Sequence, residues 1–325
     1  GSPDHRGGRR GGGRFSPRAG RGLGLCAGVW ARAGVEVGLG AGAGAGLGAD
    51  VTRTALITIA HGRHAHWSRQ TEAARRSARP ADDRILVAMD DPVLVALARA
   101  GDPRTHIVEL PGGGSGLPLA RARNAGAAAA LARGADVLVF LDVDCLPGPD
   151  LIGAYTDAAV APESAGLLLS GPVTYLPPAP AGGYDLDALA ASDRPHPGRP
   201  APAPGEVLLG GDPDLFWSLS FALAAGTWGR IGRFCEDYVG YGGEDTDFGR
   251  AAEARGVGMA WVGSARAFHQ HHEVEDPPVR HLDAILRNGE LFHTRWGRWP
   301  MTGWLDAFAE RGLVVRTPEG GYRRL

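Results

Sequence analysis

The chain has 325 residues, enough for one large core or two small ones. Its 34 Lys plus Arg nearly balance its 36 Asp plus Glu, which argues against a nucleic-acid binder held by bulk charge. Three cysteines, Cys26, Cys145 and Cys235, are too few and too scattered for a disulfide framework or a zinc site, and no apolar run reaches the roughly 20 residues a membrane span needs.

Residues 1–50 stand apart from the rest. Gly1–Gly22 is rich in Gly and Arg, and Val35–Gly48 is nearly all Gly and Ala with Val and Leu. Such composition cannot repay the entropy of ordering, so a disordered leader is expected. Abundant Arg and scarce acids leave a targeting peptide open, although a compact apolar core of the secretory type is missing.

The fold is expected to begin at Arg53–Ala60, a β-branched buried strand that ends in a polar loop at His61-Gly62-Arg63. Trp67–Ala78 reads as a helix, and Arg84–Met89 as a second strand ending in Asp90-Asp91-Pro92. Acids at a strand's carboxyl end can accept hydrogen bonds from a base or ribose, or can cap the helix that Pro92 begins. Asp91 suits the cap; Asp90 suits either role. Thr105–Leu110 is a third strand, and Pro111–Gly116 is a glycine loop that could let backbone approach phosphate. Leu117–Arg133 is a helix with Arg121, Arg123 and Asn124 on its first turns.

The fourth strand, Val137–Leu141, runs into Asp142 and Asp144 before Pro147-Gly148 breaks it. Alternation along a strand would point both carboxylates the same way. Such a pair is costly unless something positive sits between them, and a divalent cation sharing its shell with substrate phosphates meets that need. Capping of the following turn is the plainer alternative. Strand–helix alternation to this point predicts an α/β fold, mostly a parallel sheet with helices on both faces. The dinucleotide fingerprint is absent after the first strand, which lowers a dehydrogenase reading.

Leu151–Ala159 follows as a helix and Gly166–Thr174 as a strand. Leu176–Gly205 is loaded with Pro, Ala and Gly and suits a substrate-covering loop. Asp214–Ala225 reads as another strand. Tyr241-Gly242-Gly243 then demands a tight turn, and Glu244-Asp245-Thr246-Asp247 opens a helix. The helix dipole favours acids there, but capping does not account for three. After a short strand at Val257–Val262, the run Phe268-His269-Gln270-His271-His272 offers histidines as metal ligands. Pro277–Trp296 is a helix with Leu282, Ile285, Leu286 and Phe292 on its buried stripe. Trp296, Trp299 and Trp304 follow it closely, and Arg311–Leu325 reads as a terminal hairpin or a frayed tail.

Taken in order, four elements resemble those of a GT-A glycosyltransferase of family-2-like type. The second half resembles the galactosyltransferase C-terminal domain of β-1,4-galactosyltransferases and chondroitin-type polymerases. Asp142-Val143-Asp144 resembles the metal-binding Asp-x-Asp (DXD) motif, and Ala122–Gly126 the Arg-Asn-x-Gly element that contacts a nucleotide-sugar. Gly240–Asp245 resembles the Gly-Trp-Gly-Gly-Glu-Asp acceptor and catalytic motif, with Tyr241 in place of Trp. Phe268-His269-Gln270 resembles the segment whose histidine completes the metal site. Arg233 and Cys235 stand where the family has Gly and Asp.

The resemblance covers about residues 54–305 and implies a Rossmann-like nucleotide-sugar-binding fold with an acceptor-binding C-terminal half. The expected division is a donor half at 51–150, an acceptor and catalytic half at 151–305, and a tail at 306–325. It implies metal-dependent, inverting transfer from a UDP-sugar of galactose, glucose or N-acetylhexosamine type to a hydroxyl on a glycan, lipid or small molecule. The cofactor would be Mn²⁺ or Mg²⁺, bound by Asp142, Asp144 and His269. Asp245 would be the general base, with Glu244 beside it. Asp90, Arg123, Asn124 and Asp142 would bind the donor, and Tyr241, Gly243 and Asp247 the acceptor. The expected location is cytoplasmic, with peripheral membrane attachment left open. The alternatives are a metal-dependent sugar-phosphate or nucleotide-sugar hydrolase and a non-catalytic carbohydrate-binding protein.

Overall fold

The computed structural model describes residues 52–112, 116–318 and 320–325. The expected leader, Cys26 and part of the glycine loop lie outside the described residues.

The first half alternates strand and helix: β1 (Thr54–Ala60), α1 (His64–Arg75), β2 (Asp83–Met89), α2 (Pro92–Arg99), β3 (Thr105–Leu110), α3 (Leu119–Ala132) and β4 (Val137–Leu141). Every residue of β1, β2 and β4 is buried, as the unbroken apolar and β-branched runs require of strands covered on both faces. The second half contributes β5 (Cys145–Pro147), α4 (Leu151–Val160), β6 (Leu168–Ser170), β7 (Val173–Tyr175), β8 (Val207–Leu209), β9 (Ser220–Ala224) and α5 (Ala225–Ile231). It continues with α6 (Glu244–Ala254), β10 (Met259–Val262), β11 (Ala267–His269), α7 (Leu282–Trp296), α8 (Thr302–Glu310), β12 (Val314–Arg316) and β13 (Tyr322–Arg324).

Eight strands form the main sheet in the order β3-β2-β1-β4-β9-β6-β10-β8. The first four are parallel to one another, as are β6 and β10, while β9 runs antiparallel to both β4 and β6. A separate three-stranded sheet, β5-β11-β7, lies next along the chain from the end of β4. The chain thus has the α/β fold with a large, mostly parallel sheet.

Close helix packing is written into α3. A Cβ on Gly126 would lie 2.5 Å from Ile57 Cγ2 and 3.2 Å from Val87 Cγ2, so only glycine lets this Ala-rich helix sit down on β1 and β2. Beneath the second half is an aromatic floor. Phe140 stacks on Phe221 at 4.4 Å and Phe234 on Phe248 at 4.1 Å, with Trp228 packed against both pairs.

Some boundaries differ from expectation. The expected strand at Asp214–Ala225 is a strand only from Ser220 onward; 213–215 is a 3-10 turn in which Asp214 pairs with Arg250 and Arg298. The Gly166–Thr174 strand divides into β6 and β7, because Gly171-Pro172 carries the chain from the main sheet to the small one. The C-terminal residues form the β12–β13 hairpin, and Val314 and Tyr322 pack with Leu282, Ile285 and Phe308 of α7 and α8. Among the described residues no helix is long and apolar enough to cross a membrane.

Candidate active site

β4 ends at Leu141, and the chain turns through Asp142, Val143 and Asp144 before β5. The expectation that both aspartates share a strand face therefore fails, because alternation stops with the strand. Asp142 accepts from Arg123 Nη2 at 3.2 Å, whereas Asp144 lies 3.6 Å from His269 Nε2 and 3.4 Å from His272 Nε2. Gln70 on α1, fully buried, holds the turn. Its amide donates to the carbonyls of Asp142 (2.7 Å) and Cys145 (2.9 Å) and accepts from the Thr58 hydroxyl (3.0 Å).

The small sheet delivers the histidines. β11 pairs antiparallel with β5 so that His269 stands opposite Cys145, and the Gln270 N–H donates to the Asp144 carbonyl at 2.7 Å. On its other edge β11 pairs with β7, where the Tyr175 ring stacks on His269 at 4.7 Å. One ligand atom each from Asp144, His269 and His272 lies within 4.8 Å of the others. Burial holds His269 below its ordinary pKa against the opposing pull of Asp144. Burial pushes Asp144 upward, but its contact with His272 and the charges of His269 and His272 outweigh this and leave it below its usual value. Two imidazole nitrogens and one carboxylate are a fitting donor set for a divalent transition ion. Asp142, expected among the ligands, is not in this cluster because it faces Arg123. His272 is in it, although the sequence offered no means of choosing among three neighbouring histidines. His271 is exposed, and its backbone N–H bonds the Tyr184 hydroxyl.

A second group of acids faces Arg123 from α6. The turn before this helix places Gly240, Gly242 and Gly243 at φ of 77°, 96° and 90°, the left-handed region that glycine tolerates. One buried amide, Asn288 of α7, donates to the carbonyls of Gly242 (2.9 Å), Tyr241 (3.3 Å) and Val239 (3.3 Å) and so fixes the turn. Glu244 Oε1 accepts from Arg123 Nη1 at 3.2 Å. Arg123, 4% exposed, therefore bridges Glu244 and Asp142 while lying over the Phe234 ring at 5.5 Å. Asp245 Oδ1 accepts from the Thr246 N–H at 2.7 Å, and the nearby Ser218 backbone N–H favours its charged form. Ser218 is at hand because β9 pairs with β4, with the Asp142 N–H bonded to the Leu219 carbonyl at 2.9 Å. Burial pushes Asp142 up to about 6 against the pull of Arg123. Burial also pushes Glu244 and Asp245 upward, and the charge of Asp245 adds to the effect at Glu244.

Other expected site residues lie differently. Asp247, expected to meet an acceptor, is 1% exposed and already accepts from Arg295 Nε (2.6 Å), Trp296 Nε1 (2.7 Å) and the Tyr238 hydroxyl (3.2 Å). Its carboxylate ties α6 to α7. Asn124, expected at the donor, spends its amide on Phe234 N–H and C=O (both 3.0 Å) and on Glu236 (2.8 Å), clamping the loop before the glycine turn. Gly243 begins α6 and acts through its backbone angle. Asp91 caps α2 by accepting from the Leu94 N–H at 2.9 Å. Asp90 is exposed at the end of β2, with φ of 48°. Gln70 and Asn288 were not singled out from the sequence. A lone amide within an amphipathic helix carries no signal until the fold shows which carbonyls it meets.

No family model matches the chain. It is 28% identical over 219 residues to validoxylamine A glucosyltransferase of Streptomyces hygroscopicus subsp. limoneus, covering 62% of this chain and 47% of that protein. It is 30% identical over 175 residues to the protein of the same name from S. hygroscopicus subsp. jinggangensis (strain 5008), covering 49% and 40% respectively. The chain thus spans about half the length of the curated relatives it matches. Among solved structures it is similar to residues 1–349 of S. aureus TarS, with a TM-score of 0.51 at 10% identity, covering 75% of this chain and 65% of that one. The chain has the fold of the GT-A glycosyltransferases.

Proposed function

We propose that the chain transfers a hexosyl group from a UDP-sugar to an acceptor hydroxyl, with inversion at the anomeric carbon. One observation carries this reading. At one edge of the sheet, a donor set for a divalent ion (Asp144, His269, His272) stands across Arg123 and Asp142 from a second acid pair, Glu244 and Asp245. Brought together in this way, the two sets suit a diphosphate leaving group on one side and a hydroxyl nucleophile on the other. The names of the matched relatives support glucose as the sugar.

The two histidines favour Mn²⁺ over Mg²⁺, whose preference is for oxygen alone. When bound there, the ion would supply positive charge to the departing diphosphate. The chain's own residues do the rest. Asp90, exposed at the carboxyl edge of β2, offers a carboxylate to the base or ribose. Arg123 holds Asp142 and Glu244 in fixed positions. Asp245 takes the acceptor proton as the acceptor oxygen bonds to the anomeric carbon and the bond from that carbon to the phosphate oxygen breaks, releasing UDP. A raised pKa makes Asp245 a stronger base than a surface aspartate.

The test is UDP release from UDP-glucose, UDP-galactose and UDP-N-acetylglucosamine, with and without Mn²⁺. Asp144→Ala is expected to abolish Mn²⁺-dependent UDP binding. Asp245→Asn is expected to retain that binding and to lose about 10²–10⁴-fold in transfer rate. Normal transfer by the Asp245→Asn protein would remove it as the base, and undiminished Mn²⁺-dependent UDP binding by Asp144→Ala would remove the metal assignment.

A further inference from the structure

A buried cation stands beside the acid pair without a carboxylate bonded to it. Arg199, near the end of the Pro-rich segment 176–205, is 7% exposed. Its guanidinium carbon lies 4.8 Å from the centre of the Trp261 ring on β10 and 5.1 Å from that of Trp217. Nη2 donates to the Gly171 carbonyl at 3.1 Å, while Nε and Nη1 are buried without a hydrogen-bond partner. Two indole faces and one carbonyl hold a guanidinium in place but leave its charge unneutralised. Such a charge is costly to bury, and away from water its field reaches further.

The chain fixes where that field acts. The segment is pinned to β7: the Thr174 hydroxyl donates to Asp193 at 3.0 Å, and the His196 N–H donates to the Val173 carbonyl at 2.9 Å. The His196 ring meets Trp217 edge-on at 5.2 Å. Trp217, which carries Arg199 on its face, immediately precedes Ser218, whose N–H favours the charged form of Asp245. The charge of Asp245 bears on Arg199 in turn. Asp245 is otherwise faced by Arg123 from α3, Glu244 beside it on α6, Asp142 at the end of β4, Tyr241 on the glycine turn, and the N–H groups of Ser218 and Thr246. Three carboxylates thus face Arg123, and Arg199 supplies a second cation. A base raised too far by burial would hold its proton at the working pH, so a fixed positive charge has a use here.

We propose that Arg199 is a positioning residue for the acid pair: held between Trp217 and Trp261, and touching no substrate, its charge keeps Asp245 ionised and so sets the acid limb of the rate profile. The role of Asp245 as base rests on the transferase reading, but its ionisation can be measured alone. The experiment uses the full chain with aspartate carboxyl carbons labelled with ¹³C, Asp245→Asn identifying the signal. Two neutral variants are compared with wild type. Arg199→Gln keeps a donor for the Gly171 carbonyl, and Arg199→Met suits the space between the indoles, so either folded form serves. Arg199→Lys keeps the charge and loses the planar fork. In the neutral variants Asp245 is expected to titrate about one pH unit higher, and in the Lys variant close to wild type. The acid limb of UDP release at saturating donor and Mn²⁺ is expected to move the same way, with a rate loss of about tenfold below the limb and a smaller one on the plateau. An unmoved Asp245 titration in a folded neutral variant, an equal shift in the Lys variant, or a lowered plateau with an unmoved limb would overturn the proposal and assign Arg199 to packing alone. A titration that moves as expected, with no transfer from any donor, would keep the tie between Arg199 and Asp245 and remove the transferase reading.

Discussion

Replacing Arg123 by Met tests how the site's charges are balanced. The guanidinium is 4% exposed and 3.2 Å from both Asp142 Oδ1 and Glu244 Oε1. Met keeps much of the volume over Phe234 but leaves both carboxylates without their cation. Breaking a buried pair in this way costs about 3–5 kcal/mol. The acids can escape part of that cost by taking up protons, at about 1.4 kcal/mol for each pH unit above a carboxyl's unfolded pKa near 4. The escape costs about 5.6 kcal/mol per group at pH 8 and about 1.4 at pH 5. Burial already raises Asp142 and Glu244 in the wild type, and losing Arg123 raises them further. A group whose folded pKa lies above its unfolded one favours the fold at pH below the unfolded value and loses that contribution as pH climbs through the folded value. The variant is therefore expected to lose about 3–5 kcal/mol at pH 8 and about 1–2 at pH 5. Urea unfolding followed by tryptophan fluorescence at both pH values measures this. Equal losses at pH 5 and pH 8 would refute the electrostatic account and assign Arg123 to packing on Phe234.

Three further outcomes follow from the packing. Gly126→Ala gains about 1 kcal/mol of helix propensity but drives a methyl to 2.5 Å from a branched Ile57 carbon, so a net loss of about 1–2 kcal/mol is expected in the same unfolding assay. Gln70→Leu leaves the Asp142 and Cys145 carbonyls without their donor; Mn²⁺ affinity, titrated by electron paramagnetic resonance, is expected to fall about 10- to 100-fold. Asp102 is held down to about 2 by its side-chain bond from Arg104, against burial and with help from the Arg104 backbone. Its contribution is present above the unfolded pKa near 4 and is lost as pH falls toward 2. Asp102→Asn should therefore cost about 1 kcal/mol at pH 7, after allowance for the half-exposed Arg104, and almost nothing at pH 2.

The parallel half of the fold was legible because burial on both faces imposes one composition. Thr54–Ala60, Ile85–Met89 and Val137–Leu141 are made of apolar and β-branched residues, and turn residues punctuate them. The second half was less legible for the same reason. Phe216–Leu219 is as apolar as β9, yet Phe216 is buried against Phe221 and Phe248 rather than by sheet pairing, and periodicity does not separate the two. In the site, the order of the motifs anticipated that Asp144 and His269 would meet. It did not anticipate that Asp142 would turn to Arg123, since that depends on where β4 stops. Asn124 and Asp247 show a different limit. A motif supplies residue identity, but whether a polar side chain faces substrate or the protein depends on groups about 50 to 110 positions away, such as Trp296 and Phe234.

Strand β9 explains why the two halves of the site meet at all. A fifth strand parallel to β4 would need a crossover of a dozen or more residues and would enter the sheet from the edge opposite the site. By running antiparallel, β9 begins at that edge instead, with Ser220 opposite Leu141 and the Leu219 carbonyl on the Asp142 N–H. Ser218, one residue earlier, is thereby brought near Asp245, where its N–H favours the charged carboxylate. Arg123 adds a second tie across the same junction, reaching from α3 to Asp142 and Glu244. Asp245 and Asp144 are therefore placed by one hydrogen-bonded frame and not by two independently moving parts. The proposed transfer asks for a frame of this kind, one that keeps the acid pair at a set place relative to the histidine-bearing side of the site.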